Sequence, residues 1–257
     1  MAKNNKNSAS AASFVKISSA AKAEKATVDK LIVSEELAKE MLQAGVHFGH
    51  KKSRWNPKME PYIYGLKNDI HIIDLEKTIE KLNDALSFIK EIAEKNGKIL
   101  FIGTHLQAQA LVEESAQKCR MPYVVSRWIG GLLSNFKIIR KRINYLIDLE
   151  KKQESGELKK YTKKEQKKIE DEIIKLTKKF GGLKNLENLP DAILALSAKE
   201  QKTAIKEAKI KNIPIIALVD TDTSPIGIDY IIPSNDESVS AIKIMLGEIE
   251  KIINPVK

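Results

Sequence analysis

Cysteine, aromatic side chains and long apolar runs are all scarce in this sequence of 257 residues. The single cysteine, Cys119, excludes an internal disulfide framework and is typical of a protein from the reducing cytosol. We interpret Cys119 as a small apolar residue of a helix, because no catalytic setting surrounds it. No segment approaches the roughly 18–20 apolar residues that span a bilayer, and the N-terminus lacks the apolar part of a secretory signal. We therefore expect no contact with a membrane.

The motifs that mark nucleotide, metal and catalytic sites are also missing. Neither G-x-G-x-x-G nor G-x-x-x-x-G-K-[ST] occurs in the chain. His47 and His50 are spaced i, i+3 and could share a metal ion, but no H-E-x-x-H or Cys/His spacing accompanies them. Nucleic-acid stacking or an ordinary loop role explains these histidines better. We predict no catalytic residue, no cofactor and no metal ion.

One enzymatic alternative stays open. Open parallel sheets bind ligands at the carboxyl ends of their strands. Gly103-Thr104-His105 follows one predicted strand and could cradle a phosphate, while Asp220 and Asp222 follow another and could hold a divalent cation. Turn hydrogen bonds are the simpler explanation of the two aspartates. The alternative function is a doubly wound enzyme that binds a phosphorylated small molecule at the strand ends.

Positive charge is present in excess and is unevenly distributed. The formal net charge is +10, and the segment from Lys137 to Lys179 alone carries fifteen Lys and Arg against eight acids. Residues 1–30 carry six Lys against two acids, and few of their residues are large and apolar. Lysine-rich helices are often only solvated surface. The concentration of charge in two segments instead favours a polyanionic partner, most simply RNA or DNA.

Two apolar stripes run through the more basic of these segments. Leu132, Phe136, Ile139, Ile143 and Leu146 recur at alternating spacings of four and three, and Ile169, Ile173, Leu176 and Phe180 repeat the pattern. Such spacing predicts the seam of a two-helix coiled coil. Ser155-Gly156 separates the two stripes, the capping box of Thr162 and Glu165 restarts the helix, and Gly181-Gly182 ends it. We predict an antiparallel coiled-coil hairpin.

The segments on either side of this hairpin alternate between short apolar runs and amphipathic helices. Strands are predicted at 98–103, 123–125, 192–196, 214–219 and 230–232, with helices near 106–118 and 199–210 and a closing helix capped by Asp236. This order predicts parallel pairing with helices on both faces of the sheet. The fold class is therefore α/β, a doubly wound parallel sheet with the hairpin inserted after its second strand.

Two loops combine aromatic with basic side chains. The loop at 46–58 has neither a helical nor a strand period and contains Trp55 among several lysines, a composition suited to stacking on bases and neutralising phosphates. Before it, Ser34 is predicted to cap a helix that stops at Gly45. The second loop, with Arg127-Trp128, joins a strand end to the basic hairpin. This pair can stack on a base or pack inside the protein.

Several sequence blocks resemble the bacterial ribosomal protein S-two family of the small subunit. They occur in order over about residues 35–250, and together they are very specific. The matching blocks are 41–50, 54–59, 70–78, 127–135, 163–165, 180–183, 189–192, 204–208, 213–215 and 219–221.

The resemblance implies a flavodoxin-like α/β domain with a protruding coiled coil that docks on ribosomal RNA. It also implies no catalytic activity, and a part in recruiting the large mRNA-binding protein called S-one. The expected partners are small-subunit ribosomal RNA and neighbouring ribosomal proteins, without DNA, a membrane or a second copy of the chain. The expected location is the small ribosomal subunit in the cytoplasm.

These observations give a set of predicted boundaries and contacts. Residues 1–34 form a disordered basic extension, 35–131 and 183–257 form the α/β core, and 132–182 form the hairpin. The predicted RNA-binding residues are basic or aromatic side chains of the two loops and the hairpin base: Lys51, Lys52, Arg54, Trp55, Lys58, Arg127, Trp128, Lys137, Arg140, Lys141 and Arg142.

Overall fold

The computed structural model describes residues 36–254, and the chain divides between Glu40 and Met41 into two units. Residues 36–44 are helical (α1), and Gly45 follows with a φ of 76°. The predicted basic extension and the predicted cap at Ser34 lie outside the described residues. No helix of the described range is long and apolar enough to cross a membrane.

A five-stranded parallel sheet forms the centre of the second unit. Its strands are β4 (Ile99–Ile102), β5 (Tyr123–Val124), β6 (Ala192–Ala195), β7 (Ile215–Val219) and β8 (Tyr230–Pro233). They pair in the order β5-β4-β6-β7-β8, and every pairing is parallel. Numbered along the chain, this is the order 2-1-3-4-5 of flavodoxin-like doubly wound sheets. The predicted parallel sheet is confirmed.

Helices flank the sheet, and their apolar stripes explain why its strands are buried. The helices are α2 (Leu75–Glu94), α3 (Leu106–Cys119), α4 (Phe136–Glu154), α5 (Lys163–Phe180), α6 (Lys202–Ile210) and α7 (Val239–Ile253). Every residue of β4, β6 and β7 is buried. Helix α7 packs against α2 and α3. Alternate strand residues such as Leu100, Ile193 and Ile215 instead share a core with apolar side chains of α4 and α6.

A second, antiparallel sheet contains β1 (Phe48–Lys51), β2 (Ile63–Lys67) and β3 (Ile70–Ile73), in the order β1-β3-β2. The β2–β3 hairpin is as predicted, with Asn68 and Asp69 at positive φ in its turn. We expected no strand within 46–58, and this expectation was wrong, because β1 lies there. Strand β1 is short and pairs irregularly with β3, so its side chains do not alternate in exposure.

The long helices α4 and α5 lie between β5 and β6 in the chain, and they pack against each other. A short 3₁₀ helix, Glu157–Lys160, separates them. The Glu165 carboxylate accepts a hydrogen bond from the Thr162 N–H at 3.0 Å, as the predicted capping box requires, and it also accepts from the Thr162 hydroxyl at 2.9 Å. Along the predicted stripes, Ile143 and Leu146 of α4 are fully buried, and Ile173 and Phe180 of α5 belong to the same core.

Two predicted helix ends have a different physical basis from the one expected. Asp236 does not cap α7, because the Ser238 hydroxyl accepts from the Ala241 N–H instead. Gly181 and Gly182 are not left-handed, and α5 runs on into the 3₁₀ helix Gly181–Leu183. Glycine is needed at Gly182 because a Cβ there would lie 2.4 Å from the Tyr123 carbonyl oxygen.

Candidate nucleic-acid interface

The polar faces of α4 and α5 carry a dense field of exposed cations. From Lys137 to Lys179, every described Lys and Arg side chain is exposed, except the half-buried Arg140. Within the part of the chain that the structure describes, none of them forms an ion pair with an acid. Their charge therefore remains available to an external anion.

A groove of 1270 Å³, here called the β5 groove, lies where the end of β5 meets α4 and α5. Trp128, Ile139, Leu176 and Phe180 are among the side chains that line it, and all are partly or fully removed from solvent. Its exposed cations are Arg127, Arg142, Lys178 and Lys179, and Glu113 adds one negative charge. An apolar floor with a cationic rim can accommodate the sugar and phosphate of a nucleic-acid strand.

A second groove of 680 Å³, here called the α4 groove, is lined by the N-terminal turns of α4 and the segment 187–189. Its cations are Lys137, Arg140, Lys141 and Lys211. The amides of Asn135, Asn144 and Asn188 add both donors and acceptors, while Glu187 adds one negative charge. The predicted cations of α4 therefore line two grooves, since Arg142 belongs to the β5 groove and the others to the α4 groove.

The loop that leads into α4 is held by the carboxylate of Glu207 on α6. Glu207 Oε1 accepts from Trp128 Nε1 at 3.1 Å and from the Gly131 N–H at 2.8 Å. Oε2 accepts from the Leu133 N–H at 3.0 Å and from the Ser134 N–H and hydroxyl, both at 3.1 Å. Burial alone would raise the pKa of Glu207, but these hydrogen bonds outweigh it and lower the pKa below its ordinary value.

Two predicted contact residues make bonds inside the protein. The indole N–H of Trp128 is used by Glu207, and the ring is half-buried against the core. This geometry favours internal packing over stacking on a base. Arg140 donates to the carbonyl oxygens of Lys184 at 3.2 Å and Leu186 at 3.0 Å. Arg140 therefore holds the chain that follows α5 against α4, besides carrying charge.

The early basic–aromatic loop lies elsewhere, at the carboxyl end of β7. The Asn56 N–H donates to the Thr221 carbonyl at 2.7 Å, and the His50 N–H donates to the Thr221 hydroxyl at 2.8 Å. Trp55 is half-buried, with its ring 5.0 Å from that of His71. The predicted cations of this loop, Lys51, Lys52, Arg54 and Lys58, are all exposed.

The aspartates of the enzymatic alternative are paired with cations of the protein. Asp220 Oδ2 lies 3.0 Å from His50 Nδ1, and Asp222 Oδ2 lies 2.5 Å from Lys199 Nζ and 3.4 Å from His50 Nε2. The hydrogen bond to Asp220, opposed by burial and assisted by Asp222 and Glu237, raises the pKa of His50 to about 9. Among the described side chains, no group of His, Cys, Asp and Glu is arranged to hold a metal ion.

The other half of that alternative is the loop Gly103-Thr104-His105. A Cβ at Gly103 would lie 2.4 Å from a methyl carbon of Val112, so this glycine allows α3 to pack closely on the strand end. His105 precedes α3, and its ring bonds to the Gln107 side chain. Close packing thus accounts for the glycine without a phosphate ligand.

The fold and this surface define a class, namely an α/β protein with a doubly wound sheet and a strongly cationic pair of helices. The chain belongs to the ribosomal protein S2 family, whose family model matches residues 41–255. The small ribosomal subunit protein uS2 of Francisella tularensis subsp. novicida is 49% identical over 206 residues, covering 80% of this chain and 86% of the relative. The uS2 protein of Shewanella halifaxensis is 47% identical over 211 residues, covering 82% and 87%.

Family membership decides between the two functions predicted from the sequence. Members of this family are structural proteins of the small ribosomal subunit in the cytoplasm and are not enzymes. The predicted family and the predicted lack of enzymatic activity are therefore confirmed. The enzymatic alternative loses its support.

Sequence reasoning did not find Glu207 or the division of the contact residues between separate surfaces. A signal for Glu207 was present, because Ala204, Ile205 and Ala208 form the buried stripe of α6 and Glu207 interrupts it. A carboxylate on a buried stripe needs partners. The identity of those partners depends on tertiary contacts more than 70 residues away in the chain.

Proposed function

We propose that this chain is a structural component of the small ribosomal subunit that binds the subunit's ribosomal RNA. The observation that carries the proposal is the field of exposed cations on α4 and α5, which have no ion-pair partners among the described residues. Burying or pairing these charges within the chain would have removed the basis for RNA binding. Membership of the ribosomal protein S2 family supports the same assignment.

The proposed contacts are mainly to phosphate and sugar, so that RNA shape determines recognition. Arg127 and Arg142 contribute from the β5 groove, and Lys137 and Lys141 contribute from the α4 groove. The early loop contributes separately through Lys51, Lys52, Arg54 and Lys58. We assign Trp55, Trp128 and Arg140 mainly to holding these surfaces in place, because each already has partners inside the protein.

The proposed architecture is an α/β core of residues 35–131 and 183–257 with an antiparallel coiled coil at 132–182. The buried stripes of α4 and α5 support this, as does the hydrogen bond from the Thr177 hydroxyl to Glu150 at 3.3 Å. A rigid pair of helices presents its cations in a fixed arrangement. We propose that the coiled coil is the main lever for RNA binding.

The proposed protein partners are neighbouring ribosomal proteins, including the mRNA-binding protein S-one. This part follows from the family resemblance, and we expect the chain to act as one copy per subunit, without DNA or a membrane. A direct check is the amount of S-one that sediments with small subunits assembled with or without this chain. Equal amounts in both would count against the recruiting role.

The RNA-binding proposal is tested by removing three cations that do not bond to the protein backbone. The three-cation variant is Lys137→Ala, Lys141→Ala and Arg142→Ala. Log affinity decreases with log salt concentration, and each lost phosphate contact makes this slope less steep by about 0.7–0.9. The loss of three contacts should therefore reduce the steepness by roughly 2–3. Between about 50 and 200 mM salt, the parent should then lose ~20–40-fold more affinity than the variant. The measurement is a titration of small-subunit ribosomal RNA.

A matched control also removes three positive charges, but from exposed lysines on α2, at the C-terminus of α2 and on α7. The control variant is Lys90→Ala, Lys95→Ala and Lys243→Ala. Its salt slope should equal that of the parent. Equal salt slopes for the three-cation variant and the parent would refute the role of the α4 base. If the control variant showed the same change in slope as the three-cation variant, the effect would be due to net charge alone.

A further inference from the structure

One buried carboxylate bonds to the segment through which the chain leaves the sheet and enters α4. Helix α4 begins at Phe136, and the connection from β5 to α4 runs through residues 125–135 without regular structure. Every donor that Glu207 binds comes from this connection, namely from Trp128, Gly131, Leu133 and Ser134. Glu207 itself is only 7% exposed and lies on α6 among the buried residues of that helix.

The number and type of donors require a carboxylate. Four of the five are N–H groups, which can only donate, and they approach both oxygens of Glu207. A glutamine would place its NH₂ group against either the Trp128 and Gly131 donors or the Leu133 and Ser134 donors. In each orientation at least two N–H groups would face another donor, a costly arrangement. The negative charge is stabilised by these hydrogen bonds, because no Lys or Arg of the described range pairs with Glu207.

The residues fixed in this way adjoin the proposed RNA contacts. Arg127 precedes the bonded Trp128, and both line the β5 groove together with Arg142. Leu133 and Ser134 line the α4 groove, where Lys137 and Lys141 follow one and two turns later. A single carboxylate therefore bonds to residues that line both cationic grooves.

We propose that Glu207 is the positioning residue of the RNA-binding surface, fixing α4 and its cations in the orientation that binds ribosomal RNA. The inference rests on the proposed function. Without this carboxylate, the 128–134 segment would adopt several arrangements, and α4 and α5 would sample a range of directions. Binding would then include the cost of ordering them again.

The orientation of the helices can be measured without RNA. Spin labels are attached to the full-length protein at Lys90→Cys on α2 and Lys167→Cys on α5, both exposed positions, with Cys119→Ala removing the native thiol. Electron–electron double resonance should give one narrow distribution of the distance between the two spin labels in the parent. Glu207→Gln should broaden or shift it. The control, Glu200→Gln, changes an exposed carboxylate close to α6 and should leave it unchanged.

RNA affinity provides the second measurement. Glu207→Gln should bind small-subunit ribosomal RNA about tenfold more weakly, with an unchanged salt slope, because the cations are all present but misplaced. If the parent itself does not bind this RNA, the proposed function fails, while the spin-label distances still test the positioning role. A Glu207→Gln protein with the parent's distance distribution, or with the parent's affinity, would overturn the inference.

A Glu207→Gln protein that does not fold, as shown by circular dichroism, calls for a milder change. Trp128→Phe with Ser134→Ala removes two donors and keeps the carboxylate and the three remaining N–H partners. This pair should broaden the distances and weaken RNA binding in the same direction. A parent-like result from a folded double variant would also overturn the inference.

Discussion

Raising the pH through the range in which His50 loses its proton should destabilise the fold. His50 is held between Asp220 at 3.0 Å and Asp222 at 3.4 Å, and its pKa in the folded protein is about 9 instead of 6.5. The folded state therefore keeps a proton that the unfolded state releases. This contribution is fully present below a pH of about 6.5 and is lost as the pH approaches about 9. The shift corresponds to at most about 3 kcal/mol.

Urea unfolding at a series of pH values measures this contribution. The free energy of unfolding should decline across that interval in the parent and should decline less in His50→Gln, which keeps a side chain of similar size without a charge. His105→Gln is a suitable control, because His105 bonds to Gln107 and takes no part in the ion pairs of Asp220 and Asp222. If the parent and His50→Gln show the same dependence on pH, the ion pairs at the strand ends contribute nothing and the reasoning is wrong.

Two further predictions concern packing around the helix pair. Gly182→Ala should lower the free energy of unfolding by about 1–3 kcal/mol, since its Cβ would meet the Tyr123 carbonyl oxygen at 2.4 Å, whereas Gly130→Ala, with open space around it, should have little effect. Equal stabilities would contradict the close approach. Arg140→Ala should cost about 1–3 kcal/mol through its two lost backbone contacts, and Lys141→Ala should cost almost nothing. Thermal or urea unfolding of the four variants is the measurement, and equal effects at Arg140 and Lys141 would contradict the structural role of Arg140.

The regular part of the fold was predictable because its signals are local. Fully buried parallel strands give continuous apolar runs, and β4, β6 and β7 each have one. Helices α4 and α5 are indicated by the spacing of their apolar residues and, at the start of α5, by the capping box of Thr162 and Glu165. These signals need no knowledge of distant residues.

The parts that were missed depend on contacts distant in the chain. Strand β1 forms because β3 supplies a pairing partner and because Gly49 allows a close approach to Thr221. Aspartate is a residue type that commonly caps helices, but Asp236 is buried near other acids. Burial is the main cause that raises its pKa to about 6. A neighbouring serine, Ser238, takes the capping role.

The candidate contact residues were predicted by type and charge, which sequence shows directly. Their arrangement was not predictable, because it depends on how α4 is attached to the sheet. Glu207 determines that attachment from a helix more than 70 residues further along the chain. Sequence therefore identified the cations, whereas the structure shows which of them share a groove.

Sedimentation of the full-length protein with small ribosomal subunits tests the central claim most directly. The chain should migrate with the small subunit in a density gradient at low salt, and the three-cation variant should be released at a lower salt concentration than the parent. Migration of the parent with free protein at every salt concentration would contradict the account.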